Sequence, residues 1–207
     1  MRGHLYFKYG CMASGKSMQL MALAHHFNER GIEFLLMKPD VDTRNGENTI
    51  FSRALGSKEC FSIGKYDDIF AIISAYVENN NILGMSSIKW ILIDEAQFLT
   101  SQQVDELAQI VDNIGINVIC YGLRTDFMTR LFEGSKRLFE VADKIEEIKS
   151  SCYCNHKAIF NARIDKDKNI ILNGNQVEIG GDDKYVSLCR KCYYDKIKEI
   201  RQKFTEE

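Results

Sequence analysis

The chain has 207 residues, 45% hydrophobic and 27% charged, which suits one good domain or one domain plus a small appendage. Its formal net charge of -2 supplies no global field toward nucleic acid or an anionic membrane, so neither is expected as a partner. No apolar run approaches membrane-spanning length, and the first residues enter a strand pattern at once, leaving no room for a signal peptide. The seven cysteines are accordingly read in a reducing compartment, the cytoplasm, where burial or metal ligation is favoured over disulfides.

Residues 5–9 (LYFKY) read as a strand that runs into Gly10-Cys11-Met12-Ala13-Ser14-Gly15-Lys16-Ser17. That octet fits the phosphate loop G-x-x-x-x-G-K-S/T, and the helical pattern after Ser17 supplies the context the motif needs. Its glycines let the backbone curl round a polyphosphate, with N–H groups and a helix N-terminus facing the anion. Lys16 is placed for the β- and γ-phosphates and the Ser17 hydroxyl for Mg²⁺. Leu20, Leu23, Ala24 and Phe27 then form one helix face, and Gly31 stops it.

Residues 33–38 (EFLLMK) predict a short strand, closed by Pro39, the chain's single proline. Residues 40–60 are polar and predict a long loop of the kind that carries function. Ile69, Ile72, Ile73, Tyr76 and Val77 predict a helix, with Asp67 and Asp68 suited to the dipole at its start. Residues 89–93 (KWILI) are a continuous apolar strand running into Asp94 and Glu95. Asp94 sits where a Walker B carboxylate helps hold Mg²⁺, and Glu95 can serve as general base on a hydroxyl or water. Thr100 and Gln103 form a capping box for a helix with Val104, Leu107, Ile110 and Val111 on its apolar side. Residues 117–121 (NVICY) are another buried strand, ending at Gly122. Strands apolar on both faces that alternate with helices predict a mostly parallel sheet covered on both sides, with ligand at the strands' carboxyl ends.

Near residue 150 the texture changes, which sets an expected boundary between a nucleotide-binding domain, 1–150, and a small module, 151–207. Cys152 and Cys154 are followed, 34 intervening residues later, by Cys189 and Cys192. Two close thiol pairs can converge on a tetrahedral structural zinc; unmetallated thiols and a redox C-x-x-C are the alternatives. His156 is a competing ligand. About fifty residues of this composition need such a staple to fold. Cys11, Cys60 and Cys120 read as small packing residues. The basic side chains Lys196, Lys198, Arg201 and Lys203 read as a solvated helix face, and Arg53 as either phosphate-proximal or surface.

The ordered set GCMASGKS (10–17), Asp42-Thr43-Arg44, DEAQF (94–98), YGLRTDF (121–127), CYCNHKA and VEIGGDDKYVSLCRKCY resembles the zinc-containing, P-loop type of thymidine kinase almost end to end. It looks most like the branch whose first zinc pair is C-x-C. The resemblance implies a P-loop NTPase-like α/β fold with a small C-terminal zinc domain and transfer of the ATP γ-phosphoryl to the 5′-hydroxyl of thymidine. It implies Glu95 as catalytic base and an ATP site over residues 10–17 and Asp94, Glu95, Ala96 and Gln97. Asp42 and Arg44 would lie near the reacting phosphates. Met12, Phe98, Leu123, Phe127 and Phe132 would surround the base. A lasso near residues 176–185, including Val177, Ile179, Gly180 and Tyr185, would cover the nucleoside. A homotetramer using ATP, Mg²⁺ and structural Zn²⁺ is the implied assembly, working in deoxynucleotide salvage. Arg124 departs from the acidic residue of many members, and Cys192 is His in some relatives. A nucleic-acid-dependent ATPase is the competing class, disfavoured by the lack of a basic face or aromatic platform. A non-catalytic nucleotide-binding regulator is disfavoured by the intact set of Lys16, Ser17, Asp94 and Glu95.

Overall fold

A computed structural model describes residues 2–42, 46, 48–80, 88–176 and 184–203. Six strands form one sheet in the order β5-β2-β6-β7-β1-β8. They are β1 (Leu5–Gly10), β2 (Glu33–Pro39), β5 (Phe61–Ile63), β6 (Ile88–Ile93), β7 (Asn117–Gly122) and β8 (Lys144–Ile148), and every neighbouring pair is parallel. The expectation of a parallel α/β sheet is met.

Alternation along each strand divides the core in two. Leu5 and Phe7 of β1, Leu35 and Met37 of β2, Ile91 and Ile93 of β6, and Val118 and Cys120 of β7 face one side. There they pack on α2 (Ile69–Asn79), α3 (Ser101–Gln109) and α4 (Glu133–Val141). Leu36, Leu92, Ile119 and Tyr121 face the other side, against Leu20, Met21, Ala24 and Phe27 of α1 (Lys16–Glu29). Both faces are covered, which is why these strands carry no polar alternation.

Local signals act where they were read. The Asp68 side chain accepts from the Ala71 N–H at the start of α2. Thr100 and Gln103 form a reciprocal capping box at the start of α3, which runs on into a π-helical turn, Ile110–Ile114. The region read as one long loop differs: it holds an antiparallel hairpin, β3 (Thr49–Ser52) and β4 (Gly56–Glu59), just before β5.

After β8 the chain forms two small antiparallel pairs, β9 (Ser150–Ser151) with β10 (Lys157–Ala158) and β11 (Phe160–Arg163) with β12 (Tyr185–Leu188). Beyond β11, Ile164 and Ile170 form a single antiparallel bridge. Helix α5 (Arg190–Lys203) follows. A third apolar cluster joins Cys152, Phe160, Leu188, Cys189, Cys192 and Tyr193 to Cys11 of the phosphate loop. No helix among the described residues is long and apolar enough to cross a membrane.

Candidate active site

The loop after β1 turns into α1 through Gly15, whose φ of 85° is the left-handed conformation that glycine adopts without a Cβ penalty. Lys16 is buried, and its Nζ donates to the Cys11 carbonyl across the loop at 2.8 Å. The ammonium is thus folded over the concavity that a phosphate would fill. Ser14 Oγ is buried without a hydrogen-bond partner among the described residues and lies against Gly10, off the cavity wall. The placement of Lys16 fits an anion held by backbone and side-chain N–H groups.

Asp94 and Glu95 leave β6 on the adjoining side. Asp94 is buried and hydrogen-bonded to the Ser17 side chain. Burial, with the neighbouring Glu95 charge second, pushes the Asp94 carboxyl up to about 7, against the lowering pull of Ser17. Glu95 has φ 51°, the left-handed region, where a residue with a Cβ carries strain of roughly 1–3 kcal/mol. Its carboxylate accepts from Gln97 Nε2 at 2.5 Å. A cavity of about 570 Å³ has Lys16 and Ser17 on one wall and Asp94 and Glu95 on another. One cavity thus borders both the phosphate-loop motif and the two carboxylates.

Asp42 and Arg53 also line this cavity. Arg53, at the β3–β4 turn, borders the cavity while remaining exposed, so both readings of it stand. Lys38, which the sequence reading passed over, is 1% exposed. Its Nζ donates to the carbonyls of Asp42, Gly46 and Thr49 at 2.8, 2.7 and 2.8 Å. An ammonium has three N–H donors, and these three carbonyls, drawn from between β2 and the start of β3, engage all of them. The available signal was a charge placed directly after the apolar stretch 34–37.

Of the residues assigned to the nucleoside base, Met12 and Leu123 line the cavity. Phe98 and Phe132 stack edge to face with centroids 5.7 Å apart. Phe127 is 2% exposed, under the Arg163 guanidinium, and its carbonyl accepts from the Tyr193 hydroxyl. Tyr185 begins β12 and is half-buried. Arg44, Val177, Ile179 and Gly180 lie outside the described residues.

The four thiols of Cys152, Cys154, Cys189 and Cys192 lie within 4.8 Å of one another. A tetrahedral ion with Zn–S bonds of about 2.3 Å needs sulfurs about 3.8 Å apart. Cys154 and Cys189, at 3.6 Å, already meet that spacing. The cluster can hold zinc. His156 lies beside it, with Nδ1 3.5 Å from the Cys154 sulfur and 3.2 Å from the Cys154 carbonyl.

This module grips the phosphate loop directly. The Met12 N–H donates to Asn161 Oδ1 on β11 at 2.8 Å, and Ser187 Oγ on β12 donates to the Met12 carbonyl at 2.9 Å. One residue of the loop, Met12, is thereby held through its N–H and its carbonyl by the β11–β12 pair. Neither Asn161 nor Ser187 was picked out from sequence, where both lie far along the chain from the loop they hold. Arg124 turns toward the same module, donating to the Ile159 carbonyl at 2.9 Å and lying over the Phe160 ring.

A phosphate loop and acidic strand end flanking one cavity, on a parallel sheet, define a P-loop nucleotide-binding protein of the α/β class. The "Thymidine kinase" family profile matches residues 3–193. The chain is 42% identical over 196 residues to a thymidine kinase of Zymomonas mobilis, covering 95% of this chain and 98% of that one. It is 41% identical to those of Pasteurella multocida (93% and 97% covered) and Lactobacillus johnsonii (92% and 96%). A solved Pif1 helicase from Candida albicans overlaps 72% of the chain at 14% identity and a TM-score of 0.40, a level that decides nothing. This chain belongs to the thymidine kinase family.

Proposed function

We propose that the chain transfers the γ-phosphoryl of ATP to the 5′-hydroxyl of thymidine, and of deoxyuridine, giving the nucleoside monophosphate and ADP for deoxynucleotide salvage. The observation that carries this reading is the cavity shared by Lys16 and Glu95. Residues 10–17 cradle the phosphates, with Asp94, Glu95 and Ala96 completing the ATP side. Ser17 and Asp94 would hold Mg²⁺, which when bound neutralises charge on the phosphates. Asp42 and Arg44 stand near the transferring group. Glu95 takes the 5′-hydroxyl proton as the new O–P bond forms and the bond to ADP breaks.

Met12, Leu123, Phe98, Phe127 and Phe132 shape the base pocket, and Val177, Ile179, Gly180 and Tyr185 belong to the covering segment. Excluding water matters, because water is the competing acceptor and its reaction would hydrolyse ATP. The cysteines, holding zinc, anchor both ends of that cover. The working form is a cytoplasmic homotetramer, which light scattering checks. Labelled ATP offered with a panel of deoxynucleosides tests the activity. Label on thymidine is the expected result. Hydrolysis stimulated by nucleic acid, with no nucleoside acceptor, would replace it with the ATPase reading.

A further inference from the structure

Glu95 sits two residues before Gln97, on either side of a tight turn into the single 3₁₀ turn Ala96–Phe98. Gln97 is 1% exposed, and both ends of its amide are engaged. Oε1 accepts the Leu123 N–H, 2.9 Å away, at the end of β7. A backbone N–H can only donate, so the amide oxygen must face Leu123 and the Nε2 hydrogens must face the Glu95 carboxylate. The amide's orientation is therefore fixed by its surroundings.

The packing reserves this place for the amide. A Cβ on Gly122 would come within 3.0 Å of Gln97 Oε1 and 3.1 Å of the Gln97 N. The next residue, Leu123, lines the cavity, and its carbonyl accepts from Ser135 Oγ on α4. Gln97 thus ties a carboxylate at the end of β6 to a backbone held at the end of β7. Among residues 94–97, its side chain is engaged by protein groups.

We infer that Gln97 is the positioning residue for Glu95. Its amide donates to one carboxylate oxygen and restrains the orientation of that carboxylate, so that the base points at the acceptor hydroxyl. This rests on Glu95 being the base, and it assigns Gln97 to the acceptor side of the chemistry rather than to nucleotide affinity. A group held this way acts on turnover, since misplacement of about 1 Å can reduce rate by up to about 10²-fold.

The test is steady-state kinetics on the full-length protein carrying Gln97→Met, which preserves side-chain length and removes both the donor to Glu95 and the acceptor of the Leu123 N–H, with Glu95→Gln measured alongside. The expected result is a kcat lower by about 10- to 100-fold with KM for ATP within about threefold of wild type. In the Glu95→Gln background the same change should alter the residual rate by less than about threefold, because groups acting as a unit are not additive. If Gln97→Met fails to fold, Gln97→Glu assayed at alkaline pH carries the test: it keeps an acceptor for Leu123 N–H and puts a repelling charge beside Glu95. A kcat within threefold of wild type, or a raised KM for ATP with kcat intact, overturns the assignment. Should Glu95→Gln itself turn over normally, the base reading fails instead, and the two failures are told apart.

Discussion

Lys38→Met offers a sharp test of how the site is held. The side chain keeps its length but loses three short bonds to the carbonyls of Asp42, Gly46 and Thr49. Hydrogen bonds from a charged group contribute about 1.5–3 kcal/mol each. Against that total stands the cost of burying an ammonium, several kcal/mol, which the methionine no longer bears. The difference leaves a net destabilisation of about 3 kcal/mol, with part of the carbonyls recovered by water. For a chain of this size that lowers Tm by roughly 6–12 °C. Because Asp42 lines the cavity, the freed loop should also reduce kcat/KM for ATP at a temperature where the variant is fully folded. Circular dichroism melting and initial-rate assays read both effects. A Tm within 2 °C of wild type, with unchanged kcat/KM, would show that the loop does not depend on this ammonium.

Further outcomes follow from the same geometry. Asn161→Ala removes the acceptor of the Met12 N–H and should raise KM for ATP by about five- to tenfold, the kinetic equivalent of one buried bond lost; an unchanged KM would show the clamp to be idle. Chelating the metal should speed hydrogen exchange in residues 150–163 and 185–203 well before β6 or β7, and equal protection with and without metal would count against a structural ion. Asp94, raised by burial and by Glu95, has a folded pKa above its unfolded one. Its contribution to the nucleotide-free fold is complete below about pH 3.9 and is lost as pH rises through about 7. Asp94→Asn should therefore flatten the decline in denaturation midpoint between pH 4 and 8, and an unaltered pH dependence would contradict this.

What was legible in sequence is what depends on neighbours in the chain. The phosphate loop, the continuous apolar strands β2, β6 and β7, the capping box and the cysteine pairs all carry their signal within a few residues. The β3–β4 hairpin did not, because GSKE has no apolar alternation and its strand character comes from pairing with TIFS. Contacts across the fold were equally hidden. Asn161 and Ser187 meet Met12 from 149 and 175 residues away. The Gln97 amide reaches Glu95 only because Glu95 adopts a left-handed conformation that no local pattern announces. Sequence marked candidate residues for the chemistry, while the contacts that hold those residues in place became visible only with the packing.

The central claim is that Glu95 deprotonates a nucleoside hydroxyl across the cavity from Lys16. Glu95→Gln assayed with γ-labelled ATP and thymidine tests it most directly. Wild-type protein should move label to thymidine, whereas the variant should still bind ATP and transfer label about 10²- to 10⁴-fold more slowly. Transfer by Glu95→Gln within threefold of wild type, or label released only as inorganic phosphate by the wild type, would contradict the account.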